Sequence, residues 1–402
     1  MTQVGIESIG LYVPRYYVDL EDLARARGED PRKYVAGLGQ ERMGVPPPDE
    51  DVVTMGANAA GEALRGVDRS RIDTLMFATE SGVDQSKAAA IYVHHLLDLP
   101  AHCKSFEIKQ ACCGSTAALQ MATAFVAQRP DRKVLIIASD VARYGLVTAG
   151  EPTQGAGAMA LVVSAQPRIV ALDPEWGSYT EDVMDFWRPN YLDEALVDGK
   201  YSIKVYLKAL TESWKQYAAE SGRTFADQDR YCYHLPFTRM AEKAHRHLAK
   251  INGVDHPPAE QIEASLRYNR QIGNSYTASL YIGLASLLET SETDLTGQRV
   301  GLFSYGSGCM AAFFSGLVLP GYAQGVQRGR AEDMLHNRQR LTIDEYEAFY
   351  LHELPEDGSR YVTETHRTGR YRLAGLDAHK RLYESCAPNR QADAPVHAVA
   401  AT

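Results

Sequence analysis

The spacing of its apolar runs constrains this chain more than any other feature. Strand-length stretches rich in aliphatic and β-branched residues alternate with stretches of helical period. Val4 to Val13 reads as a strand and Asp51 to Leu64 as a small-residue helix. Ile72 to Ala78 is a strand, Ala88 to Leu97 a helix, and Ser105 to Lys109 a short strand. Ser115 to Gln128 is a long helix, followed by buried strands at Val134 to Ala138 and Ala156 to Val163. The second half repeats the style. Strands are expected at Ile169 to Leu172, Tyr231 to His234, Arg299 to Tyr305 and Ala311 to Val318. Helices are expected at Tyr201 to Ala219, Thr238 to Leu248 and Tyr276 to Leu288. Strands alternating with helices imply an α/β protein with largely covered sheets. No strong repeat relates the halves in sequence.

Two stretches read as lobes or inserts. Trp176 to Tyr201 is rich in aromatics, acids and glycine, and Gln324 to Thr402 is highly charged before an Ala/Pro-rich end. The last dozen residues are expected to be disordered.

Composition excludes several function classes. The formal net charge of -9 argues against nucleic acid and anionic membranes as partners. A local cluster of Lys and Arg still suits an anionic substrate. MTQVGIESIG lacks the basic and apolar regions of a signal peptide, and no apolar run approaches the roughly 18 residues that span a bilayer. A cytoplasmic protein is expected. Its six cysteines include no CxxC pair, so neither a disulfide framework nor a structural zinc site is indicated. No HExxH and no Cys/His cluster of ligand spacing appears, and no metal is expected. The GxGxxG and GxxxxGK[ST] fingerprints are missing, which removes support for nicotinamide and P-loop chemistry.

The sharpest motif is Lys109-Gln110-Ala111-Cys112-Cys113-Gly114-Ser115-Thr116. A strand ends, a thiol follows and a helix begins. At a helix N-terminus the dipole and free N–H groups favour thiolate, and small neighbours let amides face a thioester oxygen. A buried structural cysteine is the commoner role for such a residue. Glu80, in Thr79-Glu80-Ser81-Gly82, follows an apolar strand; near an apolar wall its pKa would rise toward that of a usable base. A solvated glutamate is the blander reading. His234 closes a strand ahead of Leu235 and Pro236, displayed as a carbonyl-polarising or proton-shuttling group would be. A lone histidine is more often simply packed. Gly273-Asn274-Ser275-Tyr276 and Ser304-Tyr305-Gly306-Ser307-Gly308-Cys309 are polar glycine loops that let a substrate approach closely. Cys112 with His234 also raises a cysteine hydrolase, which would leave Glu80 without a task and lacks an orienting Asn or Asp.

Taken together, the chain resembles the hydroxymethylglutaryl-CoA synthase family of the thiolase superfamily. The matching stretches run in family order: Glu80-Ser81-Gly82, Lys109 to Cys112, Gly155-Ala156-Gly157-Ala158, Tyr179 to Pro189, His234-Leu235-Pro236-Phe237, Asn269 to Asn274, and Phe303 to Gly308. The resemblance implies a five-layered αβαβα thiolase-like fold of two related halves. On that basis residues 1–167 carry Glu80 and Cys112, and residues 168–402 carry His234 and a charged C-terminal extension. It implies Cys112 as the acetyl-carrying nucleophile, Glu80 as the base that strips the acetyl methyl, and His234 facing the acetoacetyl ketone. Asp30, Thr153, Ser202, Lys243, Asn274 and Ser307 match substrate contacts by position, with Lys243 toward the CoA end. Acetyl-CoA and acetoacetyl-CoA are then substrates, no cofactor is implied, and a homodimer is expected. Cys113 stands where the family often has an aromatic, and a second thiol in the pocket is the expectation there.

Three rivals remain at this stage. A polyketide synthase of the same family would act on acyl carrier protein thioesters, and Lys109 to Met121 has something of that look, while Tyr179 to Pro189 favours the CoA-dependent kind. A thiolase proper would use a second cysteine, for which Cys309 is placed, but has no need of Glu80. A catalytically dead binding module would not need Cys, Glu and His together.

Overall fold

The computed structural model describes residues 3–326 and 329–386. The expected disorder of the last dozen residues lies outside them. Nine strands form one sheet: β1 (Gly5–Tyr12), β2 (Ile72–Ala78), β3 (Lys104–Ile108), β4 (Lys133–Ala142), β5 (Gly155–Ser164), β6 (Val170–Thr180), β7 (Arg230–Tyr233), β8 (Arg299–Gly306) and β9 (Met310–Val318). Their order is β7-β8-β9-β6-β1-β5-β4-β2-β3. The sheet is two copies of one pattern. In the first half β1 pairs antiparallel with β5, β5 antiparallel with β4, and β4 parallel with β2. In the second, β6 pairs antiparallel with β9, β9 antiparallel with β8, and β8 parallel with β7. The relation between the halves, which the sequence does not show as a repeat, is thus topological. Within the sheet they are joined by the pairs Gly5–Ala171 and Ile6–Val170. A Cβ on Gly5 would lie 2.1 Å from the Val170 carbonyl oxygen, so this crossing requires glycine.

Strand alternation sorts side chains into layers. From β4, Val134, Ile136 and Ala138 face a central core while Leu135 and Ile137 face an outer one. From β9, Ala312 and Phe314 face the same central core, and Ala311 and Phe313 face the other outside layer. The main helices fill these layers: α1 (Val52–Ala63), α2 (Gly114–Gln128), α3 (Gly199–Ser221), α4 (Thr238–Ile251), α5 (Glu263–Ile272) and α6 (Ser279–Thr290). Helices α2 and α6 occupy the centre, α1 the first outer layer, and α3 with α4 the second. Helix–sheet–helix–sheet–helix is the thiolase-like arrangement. Helix α6 is buried from Ser279 through Glu289, as a helix apolar around its whole circumference must be. Helix α1 starts on a capping box: Asp51 accepts from Val53 N and Thr54 N at 3.0 and 3.1 Å, and Thr54 Oγ1 accepts from Asp51 N at 2.9 Å.

The structure departs from the sequence reading at several places. The strand expected to stop at Leu172 continues to Thr180, because Trp176 to Thr180 pairs with Met310 to Phe314. The insert therefore shrinks to a loop whose core is a hairpin, Phe186–Trp187 against Leu196–Val197. The helix expected from Tyr276 is a 3-10 turn, Tyr276–Ala278, leading into α6. Helix α5 was not anticipated. Finally, the charged extension contains a three-stranded sheet, Tyr361–Val362, Tyr371–Asp377 and Lys380–Ser385. It packs on the first half, where Tyr383 OH donates to Asp51 Oδ2 at 2.6 Å.

Candidate active site

Cys112 sits between the end of β3 and the start of α2. The chain reverses there through Ala111, whose φ of +42° is a strained value for a residue with a side chain. Cys113 N donates to the Gln110 carbonyl at 3.0 Å and Gly114 N to that of Ala111 at 3.3 Å, closing the turn. Strand β8 presses on it from the other half. A Cβ on Gly306 would lie 2.4 Å from Gln110 O and 2.7 Å from Cys113 N. Gln110 Nε2 reaches Ser307 O at 3.5 Å, bringing the Ser307 loop beside the nucleophile turn.

Glu80 lies two residues past the end of β2 and faces the thiol: Cys112 Sγ donates to Glu80 Oε1 at 2.7 Å. Cys112 is buried and Glu80 half-buried as residues, with the carboxyl turned inward onto the thiol. Burial, then the negative charge of Asp140, pushes the Glu80 carboxyl up to about 8. Burial and the Glu80 carboxylate likewise raise the Cys112 thiol well above its ordinary value. This corrects the thiolate expected from the helix N-terminus, since desolvation outweighs the dipole. At neutral pH both the thiol and the carboxyl therefore rest protonated.

Asp140, at the end of β4, is the hub beneath this pair. Its Oδ1 accepts from Thr79 Oγ1, Glu80 N, Ser81 N and Ser81 Oγ at 2.8–3.1 Å. Its Oδ2 accepts from Thr277 N at 3.0 Å and from the Thr277 hydroxyl. One carboxylate thereby ties the Glu80 elbow to the turn ahead of α6, across the two halves. A carboxylate closing a buried strand was visible in KVLIIASD, but nothing in sequence connected it to Glu80.

The turn held by Asp140 carries the next groups. Asn274 Oδ1 accepts from Tyr276 N at 2.9 Å, and Asn274 Nδ2 donates to Tyr144 OH at 3.2 Å. Tyr276, with φ +42°, packs with Tyr144 and Phe186 as an edge-to-face triangle, centroids 5.8–6.1 Å apart. These three rings and Ala142 surround Cys112. The sequence marks Tyr276 as part of a glycine loop and Phe186 as part of a family stretch, but gives no sign that they meet Tyr144 around the thiol. A hairpin side chain completes the rim, as Arg188 Nη2 donates to the Glu80 carbonyl.

His234 follows β7 and joins the site through α6. Ser279 Oγ donates to the Tyr276 carbonyl at 2.8 Å and lies 3.2 Å from His234 Nδ1. With its proton so committed, the hydroxyl accepts from Nδ1–H, which leaves Nε2 bare in the neutral ring. Burial lowers the imidazole to about 3, so it rests neutral.

The remaining candidates divide. Thr153 donates to Gly150 O at 2.7 Å, in a loop bridged to the Asn274 loop at Gly155–Gly273. Ser202 donates to Asp185 Oδ2 at 2.9 Å, and Asp185 Oδ1 accepts from Gly308 N at 2.9 Å, beside Ser307. Lys243 is exposed on α4, 5.5 Å over the Phe237 ring. Asp30 is exposed, caps the short helix Pro31–Val35 and pairs with Arg32 at 2.6 Å, so its carboxylate is occupied at the surface. Cys113 is not the second pocket thiol: it is fully buried behind the turn, accepting from Ser304 Oγ at 3.4 Å.

Residues 1–167 match the family described as hydroxymethylglutaryl-coenzyme A synthase N terminal. Residues 170–257 and 255–384 match its C-terminal counterpart. The chain belongs to the hydroxymethylglutaryl-CoA synthase family. A hydroxymethylglutaryl-CoA synthase of Enterococcus faecalis is 45% identical over 358 residues, spanning 88% of this chain and 93% of the relative. The polyketide biosynthesis 3-hydroxy-3-methylglutaryl-ACP synthase PksG of Bacillus subtilis is 34% identical, spanning 87% and 88%. Among solved structures, a hydroxymethylglutaryl-CoA synthase complexed with CoA superposes with TM-score 0.92 at 40% identity, covering 96% of this chain and all of that one. The curacin-pathway synthase in complex with apo donor-ACP superposes at 0.88 with 32% identity over the same 96%. Membership of this synthase family gives the Cys112–Glu80 contact its chemical context.

Proposed function

We infer that the protein is a hydroxymethylglutaryl-CoA synthase, making 3-hydroxy-3-methylglutaryl-CoA from acetyl-CoA and acetoacetyl-CoA as a step of isoprenoid supply by the mevalonate pathway. The observation that carries this is the 2.7 Å contact between the Cys112 thiol and the Glu80 carboxyl in an aromatic-walled pocket. Cys112 attacks the acetyl thioester, and CoA leaves as the thiol. With the sulfur acylated, Glu80 is freed to take a proton from the acetyl methyl. The carbanion attacks the ketone of acetoacetyl-CoA, and protonated Glu80 returns the proton to the new alkoxide. The Asn274 side-chain amide has a second N–H to polarise that ketone. His234, anchored at Nδ1, offers Nε2 as the proton-exchanging atom. Water then cleaves the Cys112 thioester. The sequence closes on protein side chains and two thioesters, and we assign no cofactor and no metal.

A carrier-protein thioester as the acetoacetyl donor is the second reading, supported by the similarity to PksG and the curacin synthase. The higher identity to the Enterococcus enzyme favours CoA. We further propose a homodimer, supported by β3 at the open edge of the sheet with Phe106 exposed on it. A cytoplasmic location is supported by six cysteines that are all unpaired among the described residues.

The test offers acetoacetyl-CoA and an acetoacetyl carrier protein to the purified protein in parallel, with acetyl-CoA. Release of CoA with formation of hydroxymethylglutaryl-CoA is expected, together with an acetyl adduct on Cys112 that Cys112→Ala lacks. Turnover confined to the carrier protein would favour the second reading. Absence of any acetyl adduct on the wild type would defeat both.

A further inference from the structure

The last chemical step creates a charge where there was none. As water's oxygen bonds the acyl carbon on Cys112, the carbon–sulfur bond breaks. One water proton ends on the sulfur, and the other leaves when the new carboxylic acid ionises. This carboxylate appears at the atom bound to Cys112 Sγ, beside Glu80 and above Asp140, among the rings of Tyr144, Phe186 and Tyr276. An anion in such a place is costly without a cationic partner. His234 rests neutral, and Asn274 carries no charge.

We propose that Arg188 receives the carboxylate released from Cys112. The hairpin delivers this side chain to the right spot: Phe186 belongs to the aromatic triangle, Trp187 pairs with Leu196, and Arg188 follows at the rim. Its Nη2 donates to the Glu80 carbonyl, and its charge acts on the Glu80 carboxyl. A guanidinium has five N–H donors in a planar fork, so one bond to Glu80 leaves an edge for a bidentate carboxylate. Arg188 is exposed, so its guanidinium keeps its hydration until a product anion is made. The acetyl-enzyme and the ketone thioester are neutral at the reacting end. Arg188 therefore distinguishes the product from the two neutral acyl groups that enter the pocket.

This assignment rests on the condensation proposed above, and the experiment separates the two. Binding of 3-hydroxy-3-methylglutaryl-CoA and of its methyl ester is measured for wild type, Arg188→Gln and Arg188→Lys, by competition against acetoacetyl-CoA. Arg188→Gln is expected to weaken the acid about tenfold to a hundredfold and to leave the ester unchanged. Arg188→Lys should recover part of the loss. In rapid-quench mass spectra Arg188→Gln should also accumulate the hydroxymethylglutaryl adduct on Cys112, with acetyl labelling retained. Equal losses for acid and ester, or no loss for either, would overturn the assignment, because a brace on the Glu80 backbone has no preference for charge. A wild type that never acquires the acetyl label would instead remove the condensation itself.

Discussion

The Cys112 thiol donates to Glu80 Oε1 across 2.7 Å, and burial disfavours ionisation of either group. Burial raises both groups; the Glu80 charge raises the Cys112 thiol further, while the hydrogen bond from Cys112 lowers the Glu80 carboxyl. Acylation breaks this coupling: the sulfur becomes a neutral thioester, and Glu80 turns to the methyl group beside it. One carboxyl can thus serve thiol activation and carbon acid chemistry in succession, which explains why the two side chains stand in contact.

The pH dependence follows from that burial. Glu80 has an ordinary value of 4.5 and is pushed to about 8 in the folded protein. Its base form is needed for enolisation, so single-turnover condensation from pre-acetylated enzyme should rise with pH toward a plateau above about 8. Stability runs the other way. Between 4.5 and about 8 the folded protein holds a proton that the unfolded chain has lost, so this group's contribution falls as pH rises through that window. Glu80→Gln should remove that slope from urea-midpoint measurements and lower condensation about 10²- to 10⁴-fold, with acetyl labelling still detectable. An unchanged slope would mean that Glu80 does not rest protonated.

Asp140 is a positioning residue with a second, electrical effect. Asn in its place keeps one acceptor oxygen but turns an NH₂ toward donors at Thr277 or at Glu80 and Ser81. Asp140→Asn should lower kcat by about tenfold or more through misplacement of Glu80. Because the Asp140 charge raises the Glu80 carboxyl, the midpoint of the pH–rate profile should also move to lower pH. A fall in rate with a stationary midpoint would mark a purely structural role.

Ser279 sets the tautomer of His234. Removing its hydroxyl frees Nδ1 and lets the proton move to Nε2. Ser279→Ala should leave acetyl labelling of Cys112 intact and slow condensation about tenfold. Nitrogen-15 chemical shifts of the imidazole would report the tautomer directly, and an Nε2–H form in the wild type would contradict this account.

Much of the fold was legible because buried strands and small-residue helices write their period into sequence. KVLIIASD announces β4, and its alternation assigns Leu135 and Ile137 to one face and Ile136 to the other. Glu80, Cys112 and His234 were legible by a different route, through motifs shared with a family. What stayed hidden was whatever depends on contacts between distant segments. Asp140 looks like an ordinary strand end until the Thr277 turn arrives from the other half. The thiolate inferred at the helix start failed for a related reason: the dipole is local and readable, whereas desolvation by Tyr144, Phe186 and Tyr276 is not. Residues Tyr371–Ser385 read as charged surface, because a strand pairing in a short terminal sheet has no long apolar run to reveal it.

A close approach between the halves behind the nucleophile turn makes a sharp mutational test. Gly306 stands where a Cβ would lie 2.4 Å from Gln110 O, 2.7 Å from Cys113 N and 2.8 Å from Cys113 Cβ. These are backbone and near-backbone atoms of the nucleophile turn, so no flexible side chain can yield. Gly306→Ala must push β8 away from the turn, at a cost of about 1–3 kcal/mol for overpacking. The displaced turn carries Cys112, so the rate of acetyl labelling should fall more than the stability loss alone explains. Gly61→Ala on α1 is the control: a Cβ there meets nothing within 4 Å, and helix propensity favours alanine by about 0.5–1 kcal/mol. That variant should gain stability and label normally. If Gly306→Ala also labels at the wild-type rate, the turn has room that this packing denies, and the tight placement of Cys112 against β8 is wrong.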